Sequence, residues 1–394
     1  MPFDLNLLDP AVLADPYPTL HRLRAEAPVH WDETQRVWTL AAYDDALAAL
    51  RDSRVFSSAI HGGSATALDT TAWFVFHDPP EHTRLRGLVT TAFTPAVVER
   101  LRPTIQTIVD RLLDRLDEAG AGDLVADLAF PLPAMVIAEL LGVPTDDIDR
   151  FKVWSADLAA LGSTVKAAPD RAERLARARA SSAALNDYFR PVVRRRAAAA
   201  GDDLVSRLAH ARPGGRPLDE AELVQTCTFL LFTGHETTTN LIGNGTLALL
   251  RHQDALATLR AGDQTTLAAT VEELLRFDSP VQVRVRLLQD DVLLRGRRLR
   301  AGERVWILLG AANRDPARFA EPDRLWPARP DNRHLSFGFG IHFCVGAALA
   351  RLEGALAIGT LVRRFPRLAL GDGPFRWRPN TTMRGLEALP VSVR

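Results

Sequence analysis

The segment FGFGIHFCVG, residues 337–346, constrains the fold of this chain more than any other part of the sequence. Its three glycines predict a tightly turning backbone against which a large group can lie closely. Cys344 stands near the end of this loop, and a segment with helical spacing follows it to Arg364. At the start of a helix, the helix dipole and the free N–H groups favour a thiolate over a thiol. A thiolate in such a setting is a strong ligand for haem iron.

A lone cysteine is more often a buried structural thiol than a ligand, and this is the alternative for Cys344. The chain has only one other cysteine, Cys227, so a disulfide framework is excluded. The glycines, His342 and the following helix coincide at Cys344, which favours the ligand there. Cys227 lacks such a setting, and we expect it to pack as a small hydrophobic residue.

The overall charge argues against two classes of partner. The 394 residues include 48 basic and 48 acidic side chains, so the formal net charge is zero. A neutral chain has no general electrostatic attraction to nucleic acid or to an anionic membrane surface. No secretory signal opens the sequence, and no apolar run approaches the roughly 20 residues of a membrane span. We therefore expect a soluble, cytoplasmic protein that binds neither nucleic acid nor membrane.

Helical periodicity dominates the chain, and strand-like segments are short. One helix should have Asp78 as its N-cap, with Glu81 completing a capping box. A second should begin at Asp219 and reach about Arg251, a length of roughly 50 Å at 1.5 Å per residue. The segments predicted as strands are 37–40, 292–294, 304–308 and the end near 389–393. This pattern predicts a mostly α fold with a small β region.

The second helix carries polar residues in an apolar setting. Gly234, Glu236 and Thr237 lie between the apolar segments 229–232 and 241–242. A glycine inside a helix costs about 1 kcal/mol relative to alanine. A buried glutamate is costly unless it has a partner or a function. A polar patch on a surface helix is the alternative, but the apolar flanks favour burial and a functional site.

The sequence resembles the cytochrome P-450 family of haem-thiolate monooxygenases, soluble bacterial type, at segments that occur in the family's order. The cysteine loop is highly specific, whereas the other segments are weak singly and strong together. They are 15–18, 78–86, 234–238, 273–276, 313–316 and 384–390. The resemblance covers nearly the whole chain and implies the cytochrome P-450 fold, as a single domain over residues 1–394.

The resemblance implies haem b (iron protoporphyrin IX) as the cofactor, with Cys344 as the iron ligand. The two haem propionates need cationic or hydrogen-bonding partners. By resemblance these partners are His82, Arg86, Arg286 and His342. Solvated surface charge would be the alternative for any one of them alone.

Two charged residues are implied to support the fold. Glu273 and Arg276 are three residues apart, which places them on one helix face. On a surface such a pair is worth little. The resemblance implies that this pair fastens its helix to the irregular segment before the cysteine loop.

Catalytic roles on the second helix also come from the resemblance. Glu236 and Thr237 match an acid–alcohol pair, in which the threonine governs proton delivery to dioxygen and the acid relays protons from solvent. Gly234 is implied to let the helix widen over the iron. Thr233 departs from the family, which usually has alanine or glycine there. Its hydroxyl would face the pocket or bond its own backbone.

The implied reaction is monooxygenation, which adds a hydroxyl group or an epoxide to the substrate. No reductase or ferredoxin is fused to this chain, so electrons from NAD(P)H should arrive through a separate ferredoxin and ferredoxin reductase. Arg351, Arg363 and Arg364 lie on the cysteine side in sequence and could supply positive charge for docking.

An apolar pocket is expected for the substrate. Resemblance to bacterial members suggests a lipophilic small molecule of secondary metabolism. Arg284 stands where the family often has a different side chain near the haem edge, and its role is left open. The residues expected to line the pocket are Trp73, Phe74, Phe232, Thr233, Val281, Val283 and Met383.

Two other functions remain open. The first is a haem-thiolate peroxygenase or rearrangement enzyme that needs no outside electrons. Retention of Glu236 and Thr237 argues against it, because such an enzyme needs no proton relay for dioxygen. The second is a haem-binding sensor without turnover. A turnover assay with surrogate redox partners separates these functions.

Overall fold

The structure, a computed structural model, describes residues 5–60, 70, 72–160, 170–211 and 216–394. Helices dominate these residues, so the predicted fold class is confirmed. The helices are α1 (Pro10–Ala14), α2 (Tyr17–Glu26), α3 (Tyr43–Arg51), α4 (Glu81–Thr90), α5 (Pro95–Glu99), α6 (Arg102–Ala119), α7 (Pro131–Leu140), α8 (Ile148–Ala159), α9 (Arg171–Ala198), α10 (Leu204–His210), α11 (Glu220–Arg251), α12 (Gln253–Ala261), α13 (Gln264–Phe277), α14 (Leu309–Ala312) and α15 (Ala347–Arg364).

The strands of the described residues form four small sheets. They are β1 (Val29–Asp32), β2 (Val37–Leu40), β3 (Phe56–Ser57), β4 (Ala121–Asp123), β5 (Val283–Leu288), β6 (Val292–Leu294), β7 (Arg297–Leu299), β8 (Arg304–Leu308), β9 (Ala369–Leu370), β10 (Arg376–Trp377), β11 (Leu386–Ala388) and β12 (Pro390–Ser392). The largest sheet has the order β1-β2-β8-β5-β3. Strands β2 and β8 pair in parallel, and β5 runs antiparallel to β8.

Helix α11 crosses the molecule and begins where the sequence predicts. Asp219 caps it, and Glu222 completes a capping box with the Asp219 backbone. The helix packs against α7, α9, α13 and α15, so most of its 32 residues are buried. A helix that is apolar on nearly all sides belongs in a core, and this one positions the site.

Helix α13 is fastened to an irregular segment by a buried ion pair. Arg276 Nε and Nη2 each donate to the Glu273 carboxylate at 2.8 Å, and both side chains are 0% exposed. Arg276 also donates to the backbone oxygens of Asn313 and Pro322, and Glu273 accepts from the Trp326 N–H. These contacts join α13 to the chain that leads into the cysteine loop.

The predicted capping box at Asp78 is wrong. Helix α4 begins at Glu81, and no side chain caps its first turn. The Asp78 carboxylate instead accepts hydrogen bonds from the Ser57 hydroxyl at 2.5 Å and the Ser58 N–H at 3.1 Å. Because those bonds hold the end of β3, the carboxylate is not available to the helix.

Among the described residues, no helix combines the length and the apolarity needed to cross a membrane.

Candidate active site

The cysteine loop turns tightly before α15. Gly338 and Gly340 have φ angles of +71° and +70°, which glycine adopts without steric cost. A Cβ on Gly340 would also lie 2.9 Å from the Leu50 carbonyl oxygen, so a larger residue would collide with α3. The Cys344 N–H donates to the Phe337 oxygen at 2.8 Å and closes the loop.

Cys344 lies in the turn before α15, because the helix begins at Ala347 rather than directly after the cysteine. The predicted start of α15 at Val345, directly after the cysteine, is therefore wrong by two residues. Burial raises the pKa of the Cys344 thiol, while the Gly346 backbone N–H acts against this rise. Three guanidinium groups, those of Arg284, Arg86 and Arg351, also act to lower this pKa. Together these groups offset part of the cost of holding a thiolate here.

The predicted propionate partners come together beside the loop. The rings of His82 and His342 lie 4.3 Å apart, and Arg86 Nη2 donates to the Phe343 oxygen at 2.5 Å. Burial lowers the pKa of His82 to about 4 and that of His342 to about 3, so both rings are neutral near pH 7. Burial and repulsion from Arg284 lower the pKa of Arg286 to about 10.

This cluster fits a cofactor such as haem, which has a large apolar ring and two negatively charged propionates. Nε2 of His342 is buried and has no hydrogen-bond partner in the described part of the chain. Arg286 is 7% exposed and forms no ion pair with any described carboxylate. Phe339, Ile341 and Phe343 of the loop are 37%, 37% and 40% exposed, which a flat apolar cofactor would cover. A buried unpaired charge is costly, so an anionic ligand is expected here.

Helix α11 has one accessible face in an otherwise buried stretch. From Leu223 to Leu250, every residue is buried except Phe232, Thr233, Gly234 and Thr237. We call these four residues the accessible face of α11. Residues four apart lie on one side of a helix, so Thr233 and Thr237 face the same space.

The structure supports one of the two alternatives for Thr233 and adds a packing role for Gly234. The Thr233 hydroxyl donates to the Phe229 oxygen at 2.8 Å, so it bonds its own backbone. A Cβ on Gly234 would lie 2.9 Å from Ile137 of α7. The glycine therefore permits close packing of α11 against α7, and α11 is one continuous helix. Widening of α11 over the iron stays a prediction. The Thr237 hydroxyl bonds the Thr233 oxygen weakly, at 3.3 Å.

Glu236 has a partner that sequence reasoning missed. Its side chain is 7% exposed, and its carboxylate accepts a hydrogen bond from Arg378 Nη1 at 2.5 Å. Arg378 follows β10, 142 residues away in sequence, so no local pattern pointed to it. The pairing offsets the cost of burying the glutamate.

The predicted pocket residues fall into two groups. Trp73 and Phe74 pack on α11 through Phe229 and Phe232, with the Trp73 and Phe232 rings 6.1 Å apart. We call these four residues the aromatic wall. Phe74 also contacts His82, at 6.3 Å between rings, which connects the wall to the propionate partners.

The second group lies at the start of β5. Val281 forms a β-bridge with Met383. Val283 packs instead with Leu20 and Leu308 in an apolar cluster near the N-terminal helices. Since side chains alternate along a strand, Val283 points away from the face of Arg284. The expected position of Val283 in the pocket is thus corrected.

Comparison with known proteins decides the family. The cytochrome P-450 family profile matches residues 26–373 of the sequence. The chain belongs to the cytochrome P-450 family. As such it is an oxidoreductase, and the family implies a haem cofactor with electrons derived from NAD(P)H.

Relatives of this cytochrome P-450 are bacterial. The monooxygenase PikC of Streptomyces venezuelae is 42% identical over 405 residues, covering 99% of this chain and 94% of PikC. PksS of Bacillus subtilis (strain 168), a polyketide-biosynthesis cytochrome P-450, is 38% identical over 398 residues, 96% of each chain. The PksS structure superposes with a TM-score of 0.90 at 37% identity and 99% coverage of both chains.

A further solved structure is that of P-450 BioI in complex with an acyl carrier protein that carries hexadec-9Z-enoic acid. It has a TM-score of 0.89 at 36% identity, covering 98% of this chain and 99% of that one.

Replacing Arg86 and Arg286 with alanine should weaken haem retention. Each hydrogen bond to a charged group is worth about 1.5–3 kcal/mol, so each change should speed haem loss by roughly tenfold to a hundredfold. Transfer of haem to an apoglobin scavenger measures this rate. Arg297→Ala on exposed β7 is the control and should leave the rate unchanged. An unchanged rate in the double variant would contradict the assignment.

Proposed function

We propose that this cytochrome P-450 hydroxylates or epoxidises a lipophilic natural-product intermediate. The observation that supports the proposal is the accessible face of α11, because Thr237 is one of its residues and Phe232, another of them, stacks on Trp73. Bound haem, with Cys344 as its ligand, would supply reduction of dioxygen and transfer of one oxygen atom. The names of PikC and PksS support a substrate from secondary metabolism.

The protein's part in this reaction is to exclude water and supply protons. In the aromatic wall, Phe232 is half-buried and can contact an apolar substrate, while the buried rings of Trp73, Phe74 and Phe229 support it. Thr237 offers a hydroxyl on the accessible face, and Glu236 follows one residue earlier, bound to Arg378. Arg378 lines a small cavity of about 40 Å³ with Asn380 and Met383, which is large enough for water. We infer that protons reach Glu236 from the side of the helix where Arg378 and this cavity lie.

Electrons would come from a separate ferredoxin and its NAD(P)H-dependent reductase. A groove of about 680 Å³ lies between α13 and α15 and includes Arg351 and Arg363. Arg351 is paired with Glu272, at 2.6 Å, and Arg364 with Asp114, at 2.7 Å. Only Arg363 of the three predicted docking arginines has no carboxylate partner among the described residues, so the expected positive surface is weaker than the sequence suggested.

The proposal is tested by turnover with a surrogate ferredoxin, reductase and NADPH, using lipophilic metabolites that shift the Soret band on binding. We expect NADPH-dependent formation of hydroxylated or epoxidised product. Product formed from hydrogen peroxide alone, equally fast without NADPH, would support the peroxygenase. Binding of haem and ligand with no turnover under either condition would support the sensor.

Thr237→Ala should uncouple NADPH oxidation from product formation. Without the hydroxyl, the second proton reaches the wrong oxygen atom or arrives too late, so the two electrons leave with two protons as hydrogen peroxide in place of product. Proton transfer by a positioned group is worth about 100-fold or more, so the product yield per NADPH should fall severely. Haem content and substrate binding should stay unchanged. Product and peroxide are quantified against NADPH consumed.

The matched control is Thr246→Ala, which changes a buried threonine of the same helix that has no hydrogen-bond partner among the described residues. Thr237→Ala is also tested in a Thr233→Ala background, because the Thr233 hydroxyl could take over the role of the Thr237 hydroxyl. Unchanged coupling of Thr237→Ala in that background would rule out the acid–alcohol pair.

A further inference from the structure

Helix α15 carries a glutamate into the protein core. Glu353 is 1% exposed and directly precedes Gly354, where the helix touches α11 and α13. The Oε2 atom of Glu353 is buried and has no hydrogen-bond partner among the described residues. Burying a polar group without a partner costs free energy, and burying an unpaired charge costs far more. The side chain therefore requires an explanation that the reaction at the accessible face of α11 does not supply.

The helix interface beside Glu353 is tightly packed. A Cβ on Gly354 would lie 2.9 Å from Leu241 of α11. One turn further along both helices, a Cβ on Gly245 of α11 would lie 3.2 Å from Ile358 of α15. Helix α6 packs on another side of α15, and its buried residues are all apolar. Contacts this close leave no space between α11 and α15 for the water that would solvate a charge.

No charged group in the described part of the chain acts on Glu353. Burial alone raises its pKa, well above the ordinary value of a glutamate. The charged side chains of the helices packed against α15 bind other partners. These are Asp114 and Asp117 of α6 with Arg364, Glu272 of α13 with Arg351, Arg260 of α12 with the oxygens of Val362 and Phe365, Glu99 of α5 with Arg102, and Glu236 of α11 with Arg378.

Helix α15 also supports the cysteine loop. The Ala350 N–H donates to the Gly346 oxygen at 2.9 Å, and the Ala347 N–H donates to the Cys344 oxygen at 3.4 Å. The first turn of α15 is thus hydrogen-bonded to the turn that contains Cys344. Glu353 lies about one turn further along the same helix. A displacement of α15 at Glu353 would therefore disturb the loop that is expected to bind haem.

We propose that Glu353 keeps its proton in the folded enzyme, and that loss of this proton at alkaline pH loosens α15 and releases haem. In the unfolded chain the side chain has the ordinary pKa of 4.5, so the folded protein holds the proton more tightly. The bound proton stabilises the fold fully below that pH. This stabilisation is lost progressively as the pH rises from there through the raised pKa of the folded protein.

Glu353→Gln tests the proposal, because the amide has the shape of the neutral acid and cannot ionise. Denaturant unfolding of the haem-loaded enzyme is measured from about pH 5 to about pH 9. Relative to the variant, the unfolding constant of the wild-type enzyme should rise by up to about tenfold per pH unit. Haem transfer to an apoglobin scavenger should accelerate with pH in the wild-type enzyme and much less in Glu353→Gln.

The matched control is Glu26→Gln in α2, which changes a glutamate whose side chain is 61% exposed. This variant should follow the pH dependence of the wild-type enzyme in both measurements. If Glu353→Gln does not fold, Glu353→Met replaces it, because methionine is of similar size and cannot ionise. The same pH dependence in the wild-type enzyme and the neutral variant, in either measurement, would overturn the proposal.

Infrared spectroscopy of the wild-type enzyme detects the proton directly, since a protonated carboxylic acid has its own carbonyl stretching band. We expect this band at neutral pH in the wild-type enzyme and its loss in Glu353→Gln. Absence of the band from the wild-type enzyme would overturn the proposal without relying on any variant. None of these measurements requires turnover, so their outcome is independent of the substrate and of the redox partners.

Discussion

Cys344→Ser should abolish the strongly red-shifted Soret band of the ferrous carbon monoxide complex. Thiolate ligation produces that band, and a serine hydroxyl cannot replace the electron donation of the thiolate. Monooxygenase turnover should fall to background, because donation from the thiolate favours O–O cleavage. Spectra of dithionite-reduced protein with carbon monoxide, normalised to haem content, provide the measurement.

The chain offers its own control in Cys227. That thiol is 0% exposed within α11, and burial raises its pKa to about 12, so it behaves as a small hydrophobic group. Cys227→Ser should keep the red-shifted band and cost only stability. The opposite result, in which Cys227→Ser loses the band and Cys344→Ser keeps it, would show that the wrong cysteine has been assigned.

Arg276→Ala should destabilise the fold by about 3–5 kcal/mol, the usual cost of removing one partner of a buried ion pair. The change leaves the Glu273 carboxylate in a site with 0% exposure and also removes hydrogen bonds to the oxygens of Asn313 and Pro322. Arg329 Nε still contacts Glu273 at 3.0 Å and should limit the loss. Denaturant unfolding followed by circular dichroism measures the difference.

Arg324→Ala is the matched control, because it breaks an exposed pair with Glu321 in the same region. Exposed pairs contribute about 0–1 kcal/mol, so the control should be nearly neutral. If Arg276→Ala does not accumulate as folded protein, Arg276→Lys retains the charge and should show an intermediate loss. A loss for either Arg276 variant no larger than that of Arg324→Ala would refute the supporting role of the pair.

Local sequence patterns predicted the bounds of the long helix α11 and of three strands well. The start of α11 was predicted at Asp219, which is the observed cap, and the predicted end at about Arg251 is the observed one. Strands β2, β6 and β8 have the predicted bounds. These elements are set by neighbours in sequence, through capping, periodicity and turn residues, so a single sequence contains the necessary information.

The missed contacts involve residues whose partners lie far away in the sequence. Asp78 suits a helix cap, but Ser57 of β3 and Ser58, the residue after it, donate hydrogen bonds to its carboxylate. For Gly234, space over the iron stays a prediction, whereas its close packing against Ile137 of α7 was missed. Partner choice across the fold depends on tertiary packing, which periodicity does not report.

The sequence predicted which residues form the candidate site, but not which of them bind one another or residues elsewhere in the chain. His82, Arg86, Arg286 and His342 do gather at the cysteine loop, although their contacts with haem stay a prediction. The bond between Glu236 and Arg378 was missed because 142 residues separate the two. The predicted docking arginines were assessed without the acidic side chains that neutralise two of them.

The narrowness of the accessible face of α11 limits how this enzyme can be re-engineered. A saturation library on this helix can vary only three positions of this face, which are Phe232, Thr233 and Thr237. Gly234 cannot be varied because a larger side chain would collide with α7. Randomising the buried positions between Leu223 and Leu250 would mostly yield misfolded protein, since core substitutions commonly cost 2–5 kcal/mol. Diversity aimed at new substrates should therefore be sought mainly outside α11.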